Sequence, residues 1–225
     1  MMIIMRFRTL TLGILVPLLS GCASSLQDDI VTTEGVILPP SVEISVPFSP
    51  QAPFANWDDP YQEACEEMSL IMVHHYRMGT PLSRENAESE LLALIAWEQE
   101  HGYPQDVTLR ELMEIAREYY GYQGARILPH PTAEELMVEL AAGNPVIVPA
   151  AGRMLKNPYF SGEGPWYHML VLTGYDSKRF VTNDPGTRRG EGYTYTHTTL
   201  LNAVHDWTGV KEDIAQGASA ALVVR

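Results

Sequence analysis

The chain has 225 residues, 45% of them hydrophobic and 19% charged, and a formal net charge of −13. Its size suits one domain plus an export segment, and this balance excludes a disordered chain. Acidity of this degree repels polyphosphates and no Lys/Arg run follows Arg8, so nucleic acid is not an expected partner.

The amino terminus reads as an export signal. Arg6 and Arg8 form a basic start, and an apolar run follows from Leu10 to Leu19. That run is about half the ~20 residues that a membrane-spanning helix needs. Leu19-Ser20-Gly21-Cys22 looks like a bacterial lipobox, in which the cysteine receives a diacylglyceryl group and the chain is cut before it. The alternative is a plain secretory signal with a chance cysteine. The expected organisation is a lipoprotein signal peptide over 1–21, a lipid-anchored tether over 22–44 and a domain over 45–225. Loss of Arg6 and Arg8 with the signal takes the formal charge from −13 to −15. The expected location is the cell membrane or outer membrane, with the domain outside the cytoplasm and several acyl chains on Cys22 as the anchor.

Cysteine usage sharpens this. The chain has two cysteines, Cys22 and Cys65. If Cys22 carries lipid, Cys65 has no disulfide partner, and it is either an inert core thiol or present for its reactivity.

Residues 45–59 are rich in proline and aromatics and read as an extended loop over the body of the domain. Four helices follow: Cys65 to Met78, stopped by Gly79; one capped by Ser83 and running to about Gly102; one with a Thr108/Glu111 capping box, ending at Gly121; and one with Thr132/Glu135, ending at Gly143. The pattern then turns to strands at 146–148, 167–174, 179–183 and 220–224, with a helix over 197–207. Helices first and strands later predict an α+β fold with an antiparallel sheet.

Three residues form a catalytic candidate. Cys65 falls at a predicted helix start, where free N–H groups and the helix dipole favour a thiolate. His168 opens one strand and Asp184 ends the next. With a three-residue loop at 175–177 the two face each other on one side of the sheet. A two-residue turn puts them on opposite faces, unless a bulge at Gly174 intervenes.

Cys65 with Ser69-Leu70, then Tyr167-His168-Met169-Leu170-Val171-Leu172-Thr173-Gly174-Tyr175-Asp176, then Asn183-Asp184-Pro185-Gly186, resembles the C39-like peptidases over roughly 45–225. The resemblance implies a papain-like fold, with a helical half carrying the nucleophile and an antiparallel sheet after it. It implies Cys65 as nucleophile, His168 as base and later acid, and Asp184 as the orienting group, acting on a peptide or protein substrate without a cofactor. It also implies a glutamine amide that donates to the oxyanion. Asp59 stands six residues before the cysteine, where that glutamine often lies, so Gln51 is preferred and Gln62 is the alternative. A second departure is Cys65-Glu66-Glu67 in place of a Cys-Gly-Pro type sequence; these carboxylates tend to raise the thiol pKa.

His74 and His75 are adjacent on a helix and cannot share a face. His101 with Asp106 is the weak remaining pair, and no metal site is expected. Two other readings stand beside the peptidase: a papain-like lipoprotein that binds without turnover, and a different papain-like activity such as cell-wall peptide-crosslink hydrolysis or acyl or amide transfer. Trp166 and Tyr167 are candidate pocket walls.

Overall fold

A computed structural model describes residues 31–33 and 36–225. The signal segment and Cys22 lie outside the described residues. Strands β1 (Val31–Thr33) and β2 (Val36–Leu38) pair antiparallel, and β3 (Val42–Glu43) joins the main sheet. Leu38 is buried in the core and Ile44 donates to the Thr173 carbonyl, so part of the segment assigned to the tether is docked.

The helices are α1 (Cys65–Met78), α2 (Arg84–His101), α3 (Leu109–Glu118) and α4 (Ala133–Ala141). Ser83 caps α2, and reciprocal capping boxes at Thr108/Glu111 and Thr132/Glu135 open α3 and α4, as the sequence predicts. Helix α3 stops three residues before the expected Gly121. Gly79 takes the left-handed conformation that ends α1, its N–H bonding back to His75 and Tyr76 carbonyls.

The main sheet contains β4 (Arg126–Pro129), β5 (Val146–Ala151), β6 (Tyr167–Tyr175), β7 (Arg179–Asn183), β8 (Tyr193–Thr196) and β9 (Ala220–Val223). Their order is β4-β9-β5-β6-β7-β8, all antiparallel, with β3 also on β6. Strands β4 and β8 were not legible as strands. A short helix α5 (Gly152–Leu155) and helix α6 (His197–Ala203) complete the fold. Helix α6 is shorter than the expected 197–207, because the chain from Val204 runs extended into the loop where Asp206 accepts from the Leu109 N–H.

The sheet is buried on both faces, and strand parity sorts its side chains. Ile147, Met169, Val171 and Leu222 pack with Met68, Ile71 and Met72 of α1 and with α3. Val146, Val148, Leu170, Leu172 and Val223 pack with Leu136 and Leu140 of α4 and Leu200 of α6. Each such side chain contributes roughly 1.5–3 kcal/mol by leaving water. Burial on both faces explains why β5 and β6 are continuous apolar runs rather than alternating ones.

The β6–β7 hairpin differs from the three-residue-loop reading. Tyr175 pairs with Phe180 and Gly174 with Val181, but Leu172 pairs with Thr182, so Thr173 is an extra residue. The turn is tighter than the three-residue loop, and the bulge restores the parity that such a turn would lose. Asp184 follows Asn183, the partner of Val171, so it lies diagonal to His168 rather than opposite it, on the same face. A Cβ at Gly174 would overlap the Val42 carbonyl oxygen of β3. Gly174→Ala is therefore expected to destabilise the protein by about 1–3 kcal/mol, read as a lower melting temperature. An unchanged melt would show that β3 does not hold the bulge.

Candidate active site

Helix α1 opens at Cys65 with no side-chain cap; Ala64 holds the cap position. The first-turn N–H groups thus point past Cys65 with no side chain closing them off. The helix lies against β6, and Cys65 Sγ accepts the N–H of Met169 at 3.3 Å. Met169 stands opposite Pro149, and β7 ends opposite Val171, so this N–H is not used by a strand neighbour. The sulfur of Cys65 therefore sits at the main chain of the residue next to His168.

His168 and Asp184 meet as the diagonal placement requires. His168 Nε2 lies 2.7 Å from Asp184 Oδ1, and both residues are buried. Nδ1 is the ring nitrogen that Asp184 does not engage. Asp184 also accepts from the Gly186 N–H at 3.1 Å on Oδ1, and from Tyr195 Oη at 2.6 Å and Asn157 Nδ2 at 3.1 Å on Oδ2. Burial alone would raise the Asp184 pKa; the His168 charge and hydrogen bonds from His168, Tyr195 and Gly186 outweigh it and hold the carboxyl below its usual range. Phe160 packs edge-on to the imidazole, with ring centroids 5.3 Å apart. A Cβ at Gly186 would come within 2.7 Å of His168 Cε1, so glycine there leaves room for the ring.

Asn157, Tyr195 and the Met169 N–H were missed by sequence reasoning. Asn157 follows α5 and Tyr195 lies on β8, elements whose placement depends on the whole sheet. No local spacing links either residue to Asp184.

The thiol has acidic company. Cys65 Sγ donates to Glu66 Oε2 at 2.9 Å. Burial, then the Glu66 charge and hydrogen bond, push the thiol pKa well up; the Met169 N–H opposes them, and the Glu67 charge adds to the rise. Glu66 and Glu67 are buried, and Glu67 is hydrogen-bonded to the buried Glu98 of α2. Burial first, then the mutual charges of the cluster, raise the Glu66 and Glu98 carboxyls; burial with the Asp106 charge raises Glu67.

The two glutamines are differently placed. Gln51 is buried, and its Nε2 donates to the Tyr61 and Gln62 carbonyls, each at 2.9 Å. Its main-chain N–H donates to the Pro185 carbonyl. Gln51 thus ties the loop before Cys65 to the corner after Asp184. Gln62 is exposed, donates to Asp59 Oδ1 at 2.9 Å, and lies where two clefts meet. One, about 560 Å³, is walled by Asp106, Trp166, Tyr167 and Trp207; the other, about 950 Å³, by Trp57, Tyr159, Arg188 and Arg189. Trp166 lines the first cleft under the Arg153 guanidinium, and the Tyr167 hydroxyl donates to the Val107 carbonyl.

Three further histidines have structural partners. His74 bonds Tyr122, His75 bonds Glu90, and His101 stacks on Trp97 and bonds its carbonyl. No group of three metal-ligating side chains occurs among the described residues.

Residues 43–213 match the model of the Peptidase_C39 like family. The chain belongs to that family. The C39-like membership makes it a cysteine peptidase by descent, and the α+β fold agrees. A crystal structure from Bacillus anthracis described as a C39-like peptidase aligns with a TM-score of 0.55 at 18% identity, covering 82% of this chain and 97% of that one. At that identity the likeness speaks for the fold alone. No curated protein matches the chain.

Two outcomes are expected. Carboxyls raised by burial bind a proton in the folded state that the unfolded chain has already lost above its own carboxyl pKa. Their contribution is full below that value and is lost as pH rises through the folded pKa, which for Glu67 is about 7. Stability should therefore fall between about pH 4.5 and 8, by up to roughly 1.4 kcal/mol per pH unit per carboxyl, and Glu67→Gln should flatten the slope in urea melts taken across that range. Tyr195→Phe removes a bond to a charged acceptor and should cost about 1.5–3 kcal/mol in the same melts.

Proposed function

We propose that Cys65, His168 and Asp184 form the catalytic triad of a cell-envelope peptidase or amide hydrolase anchored through lipid on Cys22. The observation that carries the triad is the buried His168–Asp184 bond beside a helix-start thiol whose sulfur touches the Met169 N–H. Asp184 fixes the imidazole with Nε2 toward the carboxylate, leaving Nδ1 to take the thiol proton as the sulfur attacks the peptide carbonyl. The Met169 N–H and the first turn of α1 stabilise the thiolate. Collapse of the tetrahedral intermediate expels the amine, which takes its proton from His168. Water, activated by the same imidazole, then releases the acid.

The oxyanion is served by main-chain N–H groups at the start of α1 and by the Gln51 amide, which must release one of its two carbonyls to do so. Gln51→Ala is expected to lower kcat by roughly 10²–10³-fold with little change in KM, and Gln62→Ala to leave kcat within a few fold. The reverse result transfers the role to Gln62.

The raised thiol pKa places the reactive form toward higher pH, so alkylation of Cys65 by an iodoacetamide-type probe should accelerate as pH rises. In Glu66→Gln the carboxylate charge is gone, and the acceleration should begin at lower pH. His168→Ala should remove any reactivity above that of an ordinary thiol; if it changes nothing, Cys65 is a core cysteine and the binding-module reading holds. Metabolic labelling with a fatty-acid analogue tests the anchor, and an unlabelled wild-type protein beside a labelled control lipoprotein would refute it.

A further inference from the structure

A separate cavity of about 340 Å³ opens between the first turn of α1, the end of α2 and the loop after it. Ile95, Tyr103 and Pro104 form its sides, Asp59 and Glu63 its rim, and Glu67 and Glu98 its floor. Both floor residues are 3% exposed. Their carboxyls pair with each other, and no other group donates to Glu67 Oε2 or Glu98 Oε1. None of the four acids is in an ion pair among the described residues.

This arrangement is costly as it stands. Buried carboxyl oxygens without donors are unfavourable, and beyond burial the neighbouring charges of Asp106 and Glu66 add to the cost of ionising the pair. Glu98 also occupies the apolar stripe of α2, in line with Ala87, Leu91 and Leu94, where an aliphatic side chain would pack without penalty. A donor carrying positive charge would satisfy both oxygens at once. The place is also apt: Glu67 is two residues from Cys65 on one helical turn, and Asp59 and Glu63 are shared with the cleft that runs past Tyr167, whose own cation, Lys211, is exposed.

We propose that this cavity is a substrate subsite for a lysine or arginine side chain, its aliphatic stem against Ile95, Tyr103 and Pro104 and its cationic head at Glu67 and Glu98. The assignment rests on the peptidase reading for the word substrate, but the cation site itself does not need turnover. Four acidic side chains and no basic residue around the cavity select against acidic peptides by the same electrostatics that attract basic ones.

The test uses the Cys65→Ala protein, which cannot turn over, titrated with fluorescent hexapeptides. Each carries one lysine, one arginine or one norleucine at each position in turn on an alanine background. At one position lysine or arginine should bind at least about 10-fold more tightly than norleucine, a difference that matches one good charged contact. That preference should vanish in Glu67→Gln/Glu98→Gln and shrink in Glu63→Gln, whose exposed position on the rim does not endanger the fold. No cation preference at any position, or one that survives both variants, overturns the subsite. Hydrolysis of the same peptides by the wild type separates the two ideas: cleavage without cation preference sinks the subsite and keeps the peptidase, whereas cation preference without Cys65-dependent cleavage keeps the subsite and sinks the mechanism.

Discussion

The site depends on a helix start forced against a strand that has lost its neighbour. Helix α1 is anchored by Met68, Ile71 and Met72 on one face of the sheet, and this fixes where its first residue falls. Strand β7 ends opposite Val171, two residues before the strand reaches Met169, so the main chain of β6 has an N–H to offer at that point. Cys65 takes it. Were β7 longer, that N–H would be paired in the ladder and the sulfur would have no donor on the strand. His168 comes from the opposite face of the same strand, in parity with Leu170 and Leu172, and reaches Asp184 across the diagonal that the Thr173 bulge creates.

Two opposing electrostatic environments share the first turn of α1. On the His168 side, every polar atom of Asp184 has a donor: an imidazole, a phenol, an amide and a main-chain N–H. Its charge is therefore cheap to keep, and its carboxyl stays ionised. On the α2 side, Glu66, Glu67 and Glu98 face one another with oxygens left unpartnered, and their carboxyls hold protons more tightly. The thiol stands between them. Burial and the Glu66 contact favour the neutral thiol, while the helix start and the Met169 N–H favour the thiolate. Small changes in the acid cluster thus bear directly on the Cys65 thiol.

Gln51 links these parts mechanically. One residue holds the carbonyls of Tyr61 and Gln62, just before Cys65, and the Pro185 carbonyl, just after Asp184. The Pro-rich segment that carries it has no regular structure of its own. It gains order by closing two corners of the site together, which is why a stretch without periodicity can still be well packed.

The amino-acid sequence by itself determined the helices and their caps, because Ser83, Thr108/Glu111 and Thr132/Glu135 act within four residues of where they stand. It determined the buried strands 146–148 and 167–174 for the same reason, since burial on both faces leaves an apolar run in the chain. It also brought Cys65, His168 and Asp184 into one candidate set by their positions at element ends. Strands β4 and β8 were hidden, because short, half-buried segments such as Arg126–Pro129 and Tyr193–Thr196 lack a pattern until a partner strand supplies the other half of each bond. Only the tertiary structure decided between a three-residue loop and a bulged tighter turn, since both satisfy the same local pattern and only the register of β6 on β7 distinguishes them. Only it could show that Glu66 and Glu67 turn inward, that Glu98 meets them from another helix, and that Asn157 and Tyr195 complete the Asp184 site. Those contacts join residues on different elements of the fold, and their energies exist only after the sheet and α2 have closed around the start of α1.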